Sequence, residues 1–285
     1  MSQQGPQCER PPFRTVLVDT SLLIEQQKQR KQADPVRKAL NRYGFKGASS
    51  FSRLEFKYAW LQRLSYLYDV ASKPHHAVHE VWDYIMKRLG GLEKQRGRVQ
   101  TLWDALHKFL ELDGKRLTDE AQVLRLRAHC KTSILDARDA FSEMITGEFN
   151  GTDCALAKEF VRENPDGSFN VTIPKCKRGQ QQCQVADFFQ KHRELFATIA
   201  NAVSAVSDAS PELLRIREHI LAAMDDPEHL CDQSCRRIAD AIIAVDGHGM
   251  DVFGANNDKE WRTIAAALGK DLLNPVTGED WPHKT

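Results

Sequence analysis

The chain has 285 residues, 41% of them hydrophobic and 28% charged, which excludes wholesale disorder and supplies enough apolar side chain for one large core or two modest ones. Forty Lys and Arg stand against 39 Asp and Glu, so no overall field draws the chain to nucleic acid, and any such attraction has to come from a local basic face. No segment carries the roughly 18 uninterrupted apolar residues of a membrane span, Met1 to Pro12 lacks a signal-peptide pattern, and seven cysteines is an odd number. The expectation is a cytoplasmic protein, apart from membranes, with reduced thiols or a metal site rather than a disulfide framework.

Thr15 to Val18 is a short apolar, β-branched run that stops at Asp19-Thr20-Ser21 and is followed by Leu22-Leu23-Ile24. It reads as a buried strand turning directly into a helix, with Asp19 at the strand's C-terminal end. In open α/β sheets that edge is where ligands bind. A second strand is expected near Phe45 to Ala48, then Ser49-Ser50 as a helix N-cap and a helix through Leu54, Phe56, Trp60, Leu61 and Leu64, which places Glu55 in its second turn.

From about Ser65 to Met224, amphipathic helices dominate, for example Val78-Val81-Trp82-Ile85-Leu89 at spacings of 3 and 4. The turn signal Asn164-Pro165-Asp166-Gly167 leads into the alternating stretch Ser168 to Ile173, where a small hairpin or edge strand is expected. After Pro227 the α/β character returns: a helix containing Ile238, Ala241, Ile242 and Val245, then Gly247 and Gly249, then a strand within Met250 to Phe253. A last helix through Trp261, Ile264, Ala265 and Leu268 is closed by Gly269, and Leu272-Leu273-Asn274-Pro275 reads as a final edge strand or turn.

Asp19 and Asp258 follow apolar strand-like runs, and Glu55 and Asp240 lie on helices that can line the same crevice. Carboxylates crowded together repel one another unless a cation sits between them, and a hard divalent ion with oxygen ligands resolves the conflict. Such an ion can activate water against a phosphodiester.

These residues also carry a family resemblance. Val16-Leu17-Val18-Asp19-Thr20-Ser21 resembles the opening strand motif of PIN-domain nucleases, and Ser49 to Glu55 resembles their second motif, a serine at a strand end with an acid on the helix behind it. Ala239-Asp240-Ala241-Ile242-Ile243-Ala244 is similar to the third, and Asn256-Asn257-Asp258-Lys259-Glu260-Trp261 resembles the fourth, with Asn256 where a hydroxyl residue is usual. The resemblance implies an α/β, PIN-like three-layer fold with a central mostly parallel sheet plus a large helical insertion. The core would be assembled from residues 14–65 and 228–275, with the insertion at 66–227 and tails at 1–13 and 276–285.

By the same resemblance, Asp19, Asp240 and Asp258 would hold Mg²⁺ or Mn²⁺ and Glu55 would be a fourth acid of the catalytic site. Thr20, Ser21, Asn256 and Asn257 would support them, with Asn257 an alternative oxygen ligand to Asp258. The implied activity is metal-dependent hydrolysis of phosphodiester bonds, RNA favoured over DNA, as in toxin, defence or processing nucleases, with a protein regulator on the helical face as a further partner. The alternatives are a non-catalytic PIN-fold interaction scaffold, which Asn256 favours, and a structure-selective DNA nuclease.

Two further groups stand outside that reading. Cys231 and Cys235 share a helical face, and Cys176 and Cys183 frame a basic turn, so the four could ligate a structural Zn²⁺, although a buried thiol cluster or redox pair is the favoured reading. His75, His76, His79 and Glu80 read as a polar helix start after Pro74, and Asp246 as a surface residue at a helix C-terminus, with an extra acid of the site as the alternative.

Overall fold

The computed structural model describes residues 14–28, 30–89, 96–111, 117–154, 156, 162–167, 169–170, 176, 184–230, 233–256, 258–273 and 280–282. In chain order, strand β1 (Thr15–Val18) runs into helices α1 (Thr20–Lys28) and α2 (Arg30–Leu40), and β2 (Phe45–Ser49) into α3 (Ser50–Phe56). The helix continues through a π-helical turn (Lys57–Leu61) into α4 (Gln62–Ala71). Helices α5 (Val78–Leu89), α6 (Arg96–Phe109) and α7 (Asp119–Met144) lead to β3 (Gly147–Phe149) and then to β4 (Arg162–Glu163) and β5 (Phe169–Asn170). Helices α8 (Val185–Lys191), α9 (Arg193–Ser204), α10 (Pro211–Asp225), α11 (Gln233–Arg237) and α12 (Ala239–Asp246) precede β6 (Val252–Gly254). Helix α13 (Asp258–Ala267), β7 (Asp271–Leu273) and β8 (Asp280–Trp281) close the described chain.

The main sheet has the order β3-β2-β1-β6-β7-β8. Its first five strands are parallel, and β8 adds an antiparallel edge. The α/β, mostly parallel expectation therefore holds. Both faces are covered, as a parallel sheet requires. Because successive side chains alternate, Val16 and Val18 enter a core shared with residues of α1, α2 and α4 to α7. Leu17, together with Phe253 and Leu272, enters a second core under α8 to α13. Most of the first core thus comes from the first half of the chain and most of the second core from the second half, with β1 contributing to both.

The segment 66–227 is not a layer apart, since it supplies β3 to the main sheet, in register with Gly47 to Ser49 of β2, and the helices α5, α6 and α7 to the first core. The expected hairpin is present as the antiparallel pair β4 and β5, with the amide of Gly167 donating to Asn164 O at 2.9 Å and Gly167 at φ 76°. Residues 168 and 171–173, the remainder of that expected stretch, lie outside the described residues.

Close approach explains one glycine. Gly247 follows α12 and lies flat on Leu17: a Cβ there would stand 2.5 Å from Leu17 Cδ1 and 2.8 Å from Cδ2. Leu17 is fully buried and has nowhere to go. Gly247→Ala is therefore expected to cost about 1–3 kcal/mol by overpacking, lowering Tm by roughly 2–12 °C for a chain of this size. A thermal melt equal to the parent's would show that the contact between α12 and β1 is looser than drawn.

Candidate metal centre

The strand order reverses at β1, with β2 and β3 on one side and β6 and β7 on the other, so a crevice opens at the C-terminal ends of β1 and β6. Asp19 follows β1 directly, and its amide extends the ladder by donating to Gly254 O at 2.9 Å. Its carbonyl accepts from Leu22 N (3.2 Å) and Leu23 N (3.4 Å), which makes it the residue that starts α1. The side chain is only 3% exposed. Oδ2 accepts from the amide of Ser21 at 2.9 Å and from its hydroxyl at 2.6 Å, whereas Oδ1 is buried and accepts no hydrogen bond.

Glu55 reaches the same crevice from the helix behind β2. Ser49 caps that helix, its hydroxyl accepting from Phe51 N at 3.1 Å, as its sequence position led us to expect. Phe51 and Leu54 pack in the second core while Phe56, Trp60 and Leu61 pack in the first, so the helix passes over the sheet's edge at Glu55. The Thr20 hydroxyl lies 3.1 Å from both Glu55 Oε2 and Ser52 O, and so ties the two helices together at the acids. Asp240 comes in from the opposite side, in the first turn of α12.

One carboxylate oxygen from each of Asp19, Glu55 and Asp240 lies within 4.8 Å of the others. They line a cleft of roughly 590 Å³ with Thr20, Ser21, Tyr58, Arg63, Arg236 and Arg237. Its size is that of a small-ligand site.

The electrostatics are those of anions held together with only partial compensation. Burial pushes the Asp19 carboxyl up, opposed by the hydroxyl and amide of Ser21 and the amide of Thr20. Burial raises Glu55 well above the usual range, and the charges of Asp240 and Asp19 raise it further, against the Thr20 hydroxyl and Arg236. Asp240 is pushed up to about 8 by burial, then by Asp19, Glu260 and Glu212. A helix start favours an anion by about 1 kcal/mol at most at a surface position, too little to offset these effects.

The donor set fits a hard divalent cation. Adjacent oxygens on an octahedral Mg²⁺ at 2.0–2.1 Å are about 3 Å apart and opposed ones about 4.2 Å, so carboxylates already within 4.8 Å need small rotations to share one ion. The unpartnered Asp19 Oδ1 is the atom such an ion would satisfy. Oxygen-only donors suit Mg²⁺ or Mn²⁺ better than softer metals.

The supporting residues are placed as follows. Thr20 and Ser21 hold Glu55 and Asp19. Asn256 acts through its backbone, donating to Ser21 Oγ at 2.8 Å, so the hydroxyl that orients Asp19 also ties β1 to the loop after β6. Asp258 is the first residue of α13; its side chain lies outside the described residues, as does Asn257. Cys176 and Cys235 line one small cavity together with Cys154, while Cys183 and Cys231 lie outside the described residues. Among the described residues, the three acids are the one cluster with metal-ligand spacing.

Asp246 needs a correction. It is not a surface residue: it is half-buried, accepts from the Ser49 hydroxyl at 2.6 Å and from Gly151 N at 3.1 Å, and fastens α12 to the end of β2. Arg63, Arg236 and Arg237 join the cleft through tertiary packing, with no local motif to mark them. Among the described residues no helix is long and apolar enough to cross a membrane. Compared with family models, with curated proteins and with solved structures, the chain finds no match.

Proposed function

We propose that the protein is a metal-dependent nuclease that hydrolyses phosphodiester bonds at the Asp19, Glu55 and Asp240 cluster, with RNA as the preferred substrate. The observation that carries this reading is the pairing of three mutually repelling carboxylates, one with a buried unpartnered oxygen, with guanidinium groups in the same cleft. Acids alone would repel a phosphate, and arginines alone would bind it without activating water. Together they suit an anionic substrate bridged to the protein by a cation.

Asp19 and Asp240 would hold the cation, with Glu55 beside them and Asp258 at the start of α13 the fourth acid by resemblance to PIN domains. When bound, Mg²⁺ or Mn²⁺ supplies a water of lowered pKa and neutralises charge growing on the phosphate. The chain's own contribution is orientation. Ser21 fixes Asp19 Oδ2 while Oδ1 stays without a hydrogen-bond partner, and the Thr20 hydroxyl fixes Glu55. The preference for RNA rests on the resemblance to PIN domains alone.

The direct test is cleavage of single-stranded RNA, single-stranded DNA and branched DNA with Mg²⁺, with Mn²⁺ and with excess chelator. Cleavage that needs the ion and is fastest on RNA is the expected result. Fastest cleavage of branched DNA would replace the substrate, and undiminished activity in chelator would remove the metal mechanism. No cleavage of any of them, with no Mn²⁺ bound, would favour a scaffold.

Ser21→Ala offers a finer check, because that hydroxyl donates to Asp19 and accepts from the amide of Asn256. Losing it is expected to weaken Mn²⁺ binding roughly 10- to 100-fold, as for other groups that orient a ligand, and to cost about 1–3 kcal/mol of stability. Mn²⁺ titration and a thermal melt read the two effects separately. Unchanged Mn²⁺ affinity would mean that Ser21 supports the fold alone.

A further inference from the structure

We infer that Arg236 is a substrate-positioning residue that grips the phosphate next to the one being cleaved, so that the site takes a nucleic-acid strand rather than a nucleotide or a lone phosphodiester. The inference rests on the nuclease reading of the cleft and adds to it the means of holding the strand.

Three arginines line the cleft, Arg63 from α4 and Arg236 and Arg237 from the end of α11, and the two neighbours on α11 differ in their partners. Arg237 lies 3.9 Å from Glu212, which Arg215 also engages at 3.1 Å, so its charge is partly answered within the protein. Arg236 forms no ion pair among the described residues. Its guanidinium carbon lies 4.5 Å from the centre of the Tyr58 ring, on the wall of the cleft, and its charge reaches Glu55. An aromatic face holds a guanidinium in place without using its donors, which leaves them available for bidentate bonding to a phosphate.

The helix that carries Tyr58 gives the cleft its length. Glu55, Tyr58, Ala59 and Arg63 all line it, and eight residues of helical rise separate Glu55 from Arg63 by about 12 Å. The π-helical turn Lys57–Leu61 lies between them and resets the phase of the helix. A wall with an acid at one end and guanidinium groups beyond it exceeds what one phosphate needs. It matches a strand whose scissile phosphate lies at the acids and whose neighbour lies at Arg236.

The test is binding and cleavage by Arg236→Ala and Arg236→Lys in the full chain. With Ca²⁺ in place of Mg²⁺, a fluorescent single-stranded RNA oligonucleotide is titrated at several salt concentrations, and Mn²⁺ is titrated separately in the absence of nucleic acid. Arg236→Ala is expected to weaken oligonucleotide binding roughly tenfold and to reduce the slope of log affinity against log salt by about 0.7, the loss of one phosphate contact on a single strand. Mn²⁺ binding should be unchanged or tighter, since a competing positive charge has gone. Arg236→Lys should keep the salt slope while losing part of the affinity, because an ammonium cannot make the forked contact. On bis(4-nitrophenyl) phosphate, which has no neighbouring phosphate, Arg236→Ala should lose less kcat/KM than on the oligonucleotide. An oligonucleotide affinity and salt slope equal to the parent's, in a protein that binds Mn²⁺ and cleaves, would overturn the role of Arg236 and leave the nuclease reading standing. Absence of Mn²⁺ binding and of cleavage in the parent would overturn both.

Discussion

Asp240→Asn is expected to abolish metal-dependent cleavage, by at least roughly 10²-fold, while making the metal-free protein more stable. The two effects have one cause. Asp240 is pushed up to about 8 by burial and by Asp19, Glu260 and Glu212, so the folded protein binds a proton there that the unfolded chain does not. That uptake is costless near pH 4, where the unfolded carboxyl is protonated too, and its cost grows as pH rises until the folded group also ionises. Asparagine has nearly the same shape and no proton to take up. The stability gain over the parent should therefore be small near pH 4, grow up to about pH 8 and then level off, at ~2–4 °C of Tm for each kcal/mol. Thermal melts at a series of pH values, run beside RNA cleavage in Mn²⁺, measure both. A variant that cleaves at the parental rate would end the assignment of Asp240 as a metal ligand.

The parent protein should show a matching dependence on pH and metal. Asp19, Glu55 and Asp240 all have folded values raised by burial, so their contribution to stability is present below the unfolded values near 4 and is lost as pH rises through the folded ones. Without metal, Tm should fall between pH 5 and pH 9. A cation that binds the folded state alone reverses this, adding about 2.7 kcal/mol at a hundredfold excess over Kd, or roughly 5–11 °C of Tm. The rescue should strengthen as pH rises, because the cation displaces protons from the carboxylates. Melts in chelator and in Mn²⁺ at pH 5, 7 and 9 test it. A Tm at pH 9 that is the same in both would show that the acids hold no ion.

Much of this site is written locally in the sequence. The apolar run before Asp19 identifies a buried strand, and the strand's end places the carboxylate at the ligand-binding edge of an α/β sheet. Ser49 caps α3 from its own position in the sequence, which is why Glu55 could be assigned to the helix behind β2. Other features depend on tertiary packing and left no local trace. Asp246 ends a helix, as its neighbours suggest, yet Ser49 and Gly151 reach it from 197 and 95 residues away. Arg236 gains its place from Tyr58, on a helix far back in the chain. Asn256 stands where the motif resemblance puts it but acts through its amide, which any residue except proline could supply.

The order of strands across the sheet also sets a schedule for synthesis. β1 lies between β2, which follows it closely, and β6, which is more than 230 residues later. Until β6 leaves the ribosome, one edge of β1 is unpaired and Leu17 lacks the aromatic and aliphatic partners that Phe253 and α12 bring. At about 5–20 residues per second, roughly 10–50 s pass between the emergence of Asp19 and that of Asp240. During that interval the nascent chain holds two of the three clustered acids and cannot assemble the centre. Under the proposed nuclease function, the nascent chain would gain cleavage only after Asp240 on α12 has emerged and β6 has paired with β1.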